Sequence, residues 1–147
     1  MSFMRVVDVM VGNPVTASPE TSVADVARLM RDRSIGSVIL VEDSRPEGIV
    51  TERDLVRRVL AQGRNPQATK ASEICSKPVL TVSENEMLED AVEFMKEFRI
   101  RRLVVVDGEG KVSGIVTTDD IGYNLRRLSE ELAMEYITLS RRIRTAP

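Results

Sequence analysis

The sequence contains no histidine, no tryptophan and a single cysteine, Cys75. Without histidine, the Ser-His-Asp and Cys-His catalytic arrangements are excluded, because both need an imidazole base. A zinc site loses its imidazole ligands as well, and one thiol cannot replace them. That lone thiol forms no internal disulfide, which fits a reducing compartment. Aromatic residues make up 3% of the chain, too few for the stacking platforms that hold single-stranded nucleic acid. A formal net charge of −2 gives no pull toward DNA or RNA. No apolar run reaches the roughly 18–20 residues of a membrane span. The opening Met1-Ser2-Phe3-Met4-Arg5 lacks the apolar region of a signal peptide, so a cytoplasmic protein is expected. No Walker G-x-x-x-x-G-K-[S/T] run occurs either, which argues against a nucleotide hydrolase. The chain is therefore expected to be no enzyme, with no catalytic residue, no metal and no cofactor in the strict sense.

What the sequence does have is a stretch that occurs twice. Gly48-Ile49-Val50-Thr51-Glu52-Arg53-Asp54-Leu55 and Gly114-Ile115-Val116-Thr117-Thr118-Asp119-Asp120-Ile121 share the form G-I-V-T-x-x-D-[L/I]. The surroundings repeat too. Lys77-Pro78-Val79 matches Asn13-Pro14-Val15 at an offset of 64, Asp90 to Met95 matches Asp25 to Met30 at 65, and Gly114 matches Gly48 at 66. An offset that drifts only at segment boundaries is that of a duplication with insertions in loops. The parts are repeat 1 (6–62), a polar linker broken by Gly and Pro (63–72), repeat 2 (73–130) and a C-terminal helical extension (131–147). A unit of about 60 residues is marginal alone, so the two halves are expected to cover each other's apolar sheets.

Within each repeat the periodicity predicts short elements. Val15-Thr16-Ala17 reads as a strand. Ser22, three residues before Asp25, starts a helix with Val23, Val26, Ala27 and Met30 on its buried face. Val38-Ile39-Leu40-Val41 reads as a strand covered on both faces, Glu42 to Glu47 as a turn, and Gly48-Ile49-Val50 as a further strand. A helix follows from Thr51 to about Leu60, with Leu55, Val56 and Val59 on its apolar side. In the second copy, Met87, Ala91, Phe94, Met95 and Phe98 are the expected buried helix face, and Cys75, matching Met10, a small buried hydrophobe. After Asp120 one long helix is expected. Ile121, Leu125, Leu128, Leu132, Tyr136, Leu139 and Ile143 form its stripe, which either packs back on its own module or makes a homodimer contact.

The Thr-x-x-Asp runs admit two readings. The pattern caps a helix, the threonine taking an amide and the aspartate reaching back. A carboxylate at such a place also accepts hydrogen bonds from both hydroxyls of a ribose diol, and the threonine hydroxyl is available to a phosphate.

The whole order, twice over, resembles the cystathionine-β-synthase (CBS) domain, here as the tandem pair called a Bateman module, over about residues 6–130. The resemblance implies an α+β fold, two β-α-β-β-α repeats related by a pseudo-two-fold axis, with clefts between the halves that bind AMP, ADP or ATP. It also implies a sensor that usually dimerises. Carried over by position, it groups Thr51, Arg53 and Asp54 with Thr81, Val82, Ile100, Arg101 and Arg102. It groups Thr117, Asp119 and Asp120 with Thr16, Ala17, Ile35, Gly36 and Ser37. Arg53, Arg101 and Arg102 then favour nucleotide phosphate at the Asp54 site, while Asp119 disfavours it at the other. The implied function is an adenosine-nucleotide sensor with a homodimer and a regulated protein as partners. The alternatives are an interaction scaffold without nucleotide and a sensor for S-adenosylmethionine or NAD.

Overall fold

The computed structural model describes residues 4–124 and 130–145, with the side chains at 130–133 and 143–145 left out. The described chain falls into two compact units, Pro14–Leu80 and a second made of Met1–Asn13 with Thr81–Pro147. Each is α+β.

The Pro14–Leu80 unit opens with β2 (Thr16–Ala17), named in chain order after β1 (Val11–Gly12) of the other unit. Helix α2 (Val23–Arg33) follows, and Ser22 Oγ accepts the Asp25 amide at 3.2 Å to start it. Its buried face is Val23, Ala24, Val26 and Met30. Ala27, expected on that face, is exposed, and Ala24 takes its place. Ser34 ends the helix in a left-handed conformation at φ 53°. Strand β3 (Ser37–Glu42) lies between β2, parallel to it, and β4 (Arg45–Thr51), antiparallel. Val38, Ile39 and Leu40 are buried in succession, as a strand covered on both faces requires. The expected turn over Glu42 to Glu47 shrinks to Asp43 and Ser44, both at positive φ (50° and 63°), so Arg45 and Pro46 pair with β3.

The helix expected from Thr51 to Leu60 begins as α3 (Glu52–Asp54) and widens into a π-helical turn over Leu55–Leu60. The Ala61 amide bonds to Val56 O at 2.8 Å, five residues back. This register buries Val59 and turns Val56, expected on the apolar side, out to 55% exposure. The segment expected as a linker (63–72) is tied to this unit at its end. Thr69 and Ala71 are buried, the Val23 amide donates to Thr69 O, and α4 (Ala71–Ile74) adds Ala71, Ile74 and Cys75 to the unit's core.

In the other unit, α1 (Val6–Val9) and β1 (Val11–Gly12) lead into β5 (Thr81–Ser83), α5 (Leu88–Phe98), β6 (Arg102–Val106), β7 (Val112–Thr117) and α6 (Thr118–Tyr123). The sheet order is β1-β7-β6-β5. Helix α5 buries Leu88, Ala91, Val92 and Met95. Phe98 is instead 48% exposed and packs in a tilted arrangement against the half-buried Phe94, ring centroids 4.7 Å apart. Met87 is only half-buried, since it is the N-cap of α5 and not on its face.

The N-terminal segment belongs to this unit for a reason visible in its contacts. Arg5 bridges Met87, Val11 pairs with Ile115, and Gly12 with Gly114. In the Pro14–Leu80 unit, Lys70 bridges Ser22 and Ser76 bridges Ile49 in the same manner. Each unit thus takes its short helix and edge bridge from the segment preceding the other repeat.

The long final helix is not seen as one piece. Helix α6 ends at Tyr123 with Asn124 as its C-cap, α7 runs Glu130–Thr145, and Leu125 and Leu128 of the expected stripe lie outside the described residues, as do the side chains of Leu132 and Ile143. Leu139 is buried, Tyr136 lies over Gly122, and Lys96 on α5 holds Glu135 at 2.7 Å. The described part of the stripe therefore packs on its own unit. Among the described residues no helix is long and apolar enough to cross a membrane.

Candidate functional site

Both Thr-x-x-Asp runs sit where a strand hands over to a helix, and both cap it reciprocally. In the first copy, Thr51 Oγ1 accepts the Asp54 amide (3.2 Å), while Asp54 Oδ2 accepts the Thr51 amide (2.9 Å) and hydroxyl (3.1 Å). In the second, the same bonds join Thr117 and Asp120 at 3.2, 2.8 and 2.9 Å. The capping reading is thus realised in both copies. Capping uses only one carboxylate oxygen, Oδ2, and leaves Oδ1 to other partners.

Each run lies beside the start of the neighbouring strand. Register pairs Ser37 with Thr51, and the Glu52 amide donates to Gly36 O at 3.1 Å. Likewise Arg102 pairs with Thr117, and the Thr118 amide donates to Arg101 O at 2.9 Å. The sixteen candidate residues divide evenly between the units. Thr16, Ala17, Ile35, Gly36, Ser37, Thr51, Arg53 and Asp54 fall in Pro14–Leu80, and Thr81, Val82, Ile100, Arg101, Arg102, Thr117, Asp119 and Asp120 in the other.

Arg101 and Arg102, which the resemblance groups with Asp54, have their backbone hydrogen-bonded to and in register with the Thr117–Asp120 turn of their own repeat. The strand–helix handover explains this pairing. A β-hairpin brings the end of its second strand against the start of its first, so the residues opposite a Thr-x-x-Asp turn come from the same repeat. Thr81 and Val82, on β5, are one strand further along through Thr81↔Val104 and Val104↔Ile115. Thr16 and Ala17 on β2 stand in the same relation to β3 and β4.

Residues missed in the sequence are Ser76 and Arg58. Ser76 Oγ donates to Asp54 Oδ1 at 3.0 Å, and Arg58 Nε lies 3.8 Å from the same oxygen. Arg58 also donates to the carbonyls of Ile74 (3.2 Å) and Cys75 (3.0 Å). Arg58 follows Asp54 by four residues, a helical neighbour that sequence spacing could have flagged. Ser76 is 22 residues away and carried no such signal. Among the described residues no group of three or more acidic or cysteine side chains could hold a metal ion.

Elsewhere the shifted titrations mark surface ties. Lys96 is raised above its usual value, chiefly by its hydrogen bond to Glu135 on α7. Glu73 is lowered, chiefly because it accepts the Lys70 backbone amide, at 2.6 Å, and then by Arg64.

The model of the family described as CBS domain matches residues 6–61 and 71–125. An uncharacterized protein of Methanopyrus kandleri is 47% identical over 108 residues, which are 73% of this chain and 55% of that one. The chain thus spans little more than half the length of that relative. The CBS domain-containing protein YhcV of Bacillus subtilis is 35% identical over 131 residues, 89% of this chain and 91% of its own. Among solved structures, a CBS domain protein from Pyrobaculum aerophilum complexed with AMP has a TM-score of 0.77 at 25% identity, covering 92% of this chain and 99% of that one. The CBS domain pair of protein MJ0100, in complex with 5′-methylthioadenosine and S-adenosyl-L-methionine, has a TM-score of 0.76 at 27% identity, covering 85% and 98%.

Proposed function

The chain belongs to the CBS domain family, and from that premise we propose that it is a regulatory module, not an enzyme, that binds an adenosine nucleotide at a Thr-x-x-Asp turn. The observation that supports this most is the Thr117–Asp120 turn with Arg101 and Arg102 beside it. Its backbone pairing puts the positions of two arginines beside the turn that carries an acceptor for a sugar diol.

The chemistry divides simply. The Asp120 carboxylate accepts the ribose hydroxyls, as an ionised acid has lone pairs left after capping. Arg101 and Arg102 take the phosphate through charge-assisted bonds. The Thr117 hydroxyl is already shared with Asp120, so its part is to hold the carboxylate in place. The AMP-bound Pyrobaculum relative and the methylthioadenosine and S-adenosylmethionine complex share the adenosine moiety, which supports recognition of adenosine in general. A second reading, a sensor for an adenosine sulfur compound, follows from the latter complex alone. The arginine pair favours the phosphorylated ligand.

A ligand changes output only if it prefers one arrangement of the protein over another. Helix α7 leaves Met134 57% and Ile137 37% exposed while Leu139 is buried, and this outer face is the proposed homodimer surface. The test is a thermal-shift screen with AMP, ATP, S-adenosylmethionine, 5′-methylthioadenosine and NADH. A ligand of the folded state raises Tm, by about 2.7 kcal/mol of stability at a hundredfold excess over Kd. A shift with AMP or ATP is expected. No shift with any adenosine compound would favour an interaction scaffold instead.

A further inference from the structure

The two Thr-x-x-Asp turns match in backbone but not in what surrounds the carboxylate. Asp54 is fully engaged. Its Oδ2 takes the Thr51 amide and hydroxyl, and its Oδ1 takes the Ser76 hydroxyl with the Arg58 guanidinium beyond it. Its side chain is 8% exposed. Asp120 has the same two bonds on Oδ2, while among the described residues Oδ1 has no hydrogen-bond partner. The residue is half-buried rather than buried.

The cause lies in two positions. Ser76 bridges Ile49, and the equivalent partner of Ile115 is Val11, which has no hydroxyl to give. Arg58 stands four residues after Asp54, and Asn124 stands four after Asp120. The Asn124 amide donates to the Asp120 backbone carbonyl at 2.8 Å rather than to its carboxylate.

The phosphate side differs in the same sense. Where Arg101 and Arg102 flank the second turn, Gly36 and Ser37 flank the first. The Glu52 carboxylate lies over Gly36, its Oε1 3.2 Å from where a Cβ would stand. The equivalent residue in the second copy is Thr118, buried and uncharged. A phosphate at the first turn would meet Glu52 with Arg53 as the cation of that turn, and at the second, two arginines with Asp119 as the anion.

Resting on the adenosine reading above, we infer that the two sites have separated in role. Asp120 is the diol-binding carboxylate, Asp54 is a structural carboxylate fastened by Ser76 and Arg58, and the chain takes one adenosine ligand. To accept a diol, Asp54 would first have to give up the Ser76 hydroxyl. One hydrogen bond to a charged carboxylate lost is about ten- to 150-fold in affinity, before the repulsion from Glu52 is added.

The test is calorimetric titration of AMP into the full chain, with melting temperatures recorded in parallel. Wild type is expected to bind one equivalent. Asp120→Asn is expected to weaken binding at least tenfold with little change in the ligand-free Tm. Asp54→Asn is expected to lower the ligand-free Tm and keep one equivalent at an affinity within about threefold. Should Asp54→Asn fail to fold, Ser76→Val, which copies Val11, is read in its place. It should lower Tm and leave affinity within threefold. Two equivalents in wild type, or a tenfold loss in Asp54→Asn or Ser76→Val that Asp120→Asn does not show, would overturn the inference while leaving adenosine binding intact. No binding of AMP, ATP or S-adenosylmethionine by wild type would instead remove the adenosine reading, and the inference with it.

Discussion

Gly114→Ala is the most informative single change to the fold. Gly114 sits in β7 against the N-terminal segment, paired with Gly12. A Cβ added there would stand 2.5 Å from Met10 Sδ, 2.9 Å from the Val11 carbonyl oxygen and 3.1 Å from Met10 Cγ. Methionine is flexible and its sulfur can swing away. The Val11 carbonyl cannot, because it belongs to the backbone of β1. Either β1 separates from β7 or the ladder bends. Overpacking of this sort costs about 1–3 kcal/mol, and each ladder bond lost adds about 1 kcal/mol. Relief of chain entropy by alanine returns roughly 0.4–1 kcal/mol. The net is about 2–3 kcal/mol, or about 5–10 °C in Tm for a chain of this size. Gly48→Ala is the control. Its Cβ would meet Cys75 Sγ at 2.7 Å and Cys75 Cβ at 3.2 Å, but the nearest carbonyl, Ser76 O, is at an ordinary 3.6 Å. Thermal melts of the four single and double variants read the difference. Cys75→Ala should offset much of the Gly48→Ala loss, and Met10→Ala should offset little of the Gly114→Ala loss. Gly114→Ala as stable as wild type, or fully rescued by Met10→Ala, would refute the placement of β1 on β7.

Two further outcomes follow from named contacts. Gly122→Ala would place a Cβ 2.7 Å from the Tyr136 hydroxyl and 3.0 Å from its Cζ, so it should loosen α7 from α6 despite alanine's better helix propensity; hydrogen exchange at the Ile137 to Leu139 amides should speed up, and unchanged protection would count against the docking of α7. Glu73, held below its ordinary value of 4.5, contributes stability that is complete above that value and lost as pH falls through its lower folded value. Glu73→Gln should therefore flatten part of the acid limb of Tm against pH below about 4.5 and change little near neutrality; an unaltered acid limb would show that this cap carries no weight.

Much of the fold was legible because the chain states it twice. The buried run Val38-Ile39-Leu40, the Ser22 cap and the Thr-x-x-Asp caps all depend on local spacing, which a sequence displays directly. What was not legible depends on register or distance. The π-helical turn shifts Val56 outward by one hydrogen-bond step, and nothing in the α-helical period announces it. A repeated sequence can be cut at any phase, so the exchange of Arg5–Gly12 and Lys70–Ser76 between repeats needed the bridges to reveal it. At the site, the two aspartates and the unequal charges near them were visible, but the different surroundings of the two carboxylates were not. That difference rests on Ser76 against Val11, whose bearing on the carboxylates shows only once their partners, Ile49 and Ile115, are known. The backbone pairing of the arginines with the Thr117–Asp120 turn was not legible either, because sequence order does not show which strand start a hairpin brings back to which strand end.

Paired titrations of AMP and 2′-deoxy-AMP test most directly whether the Asp120 carboxylate accepts a sugar diol. A hydrogen bond to a charged group is worth about 1.5–3 kcal/mol, so removing the 2′-hydroxyl should weaken binding to wild type by about ten- to 150-fold. In Asp120→Ala the two ligands should bind equally weakly. If wild type bound AMP and 2′-deoxy-AMP with the same affinity, Asp120 would not be holding the ribose.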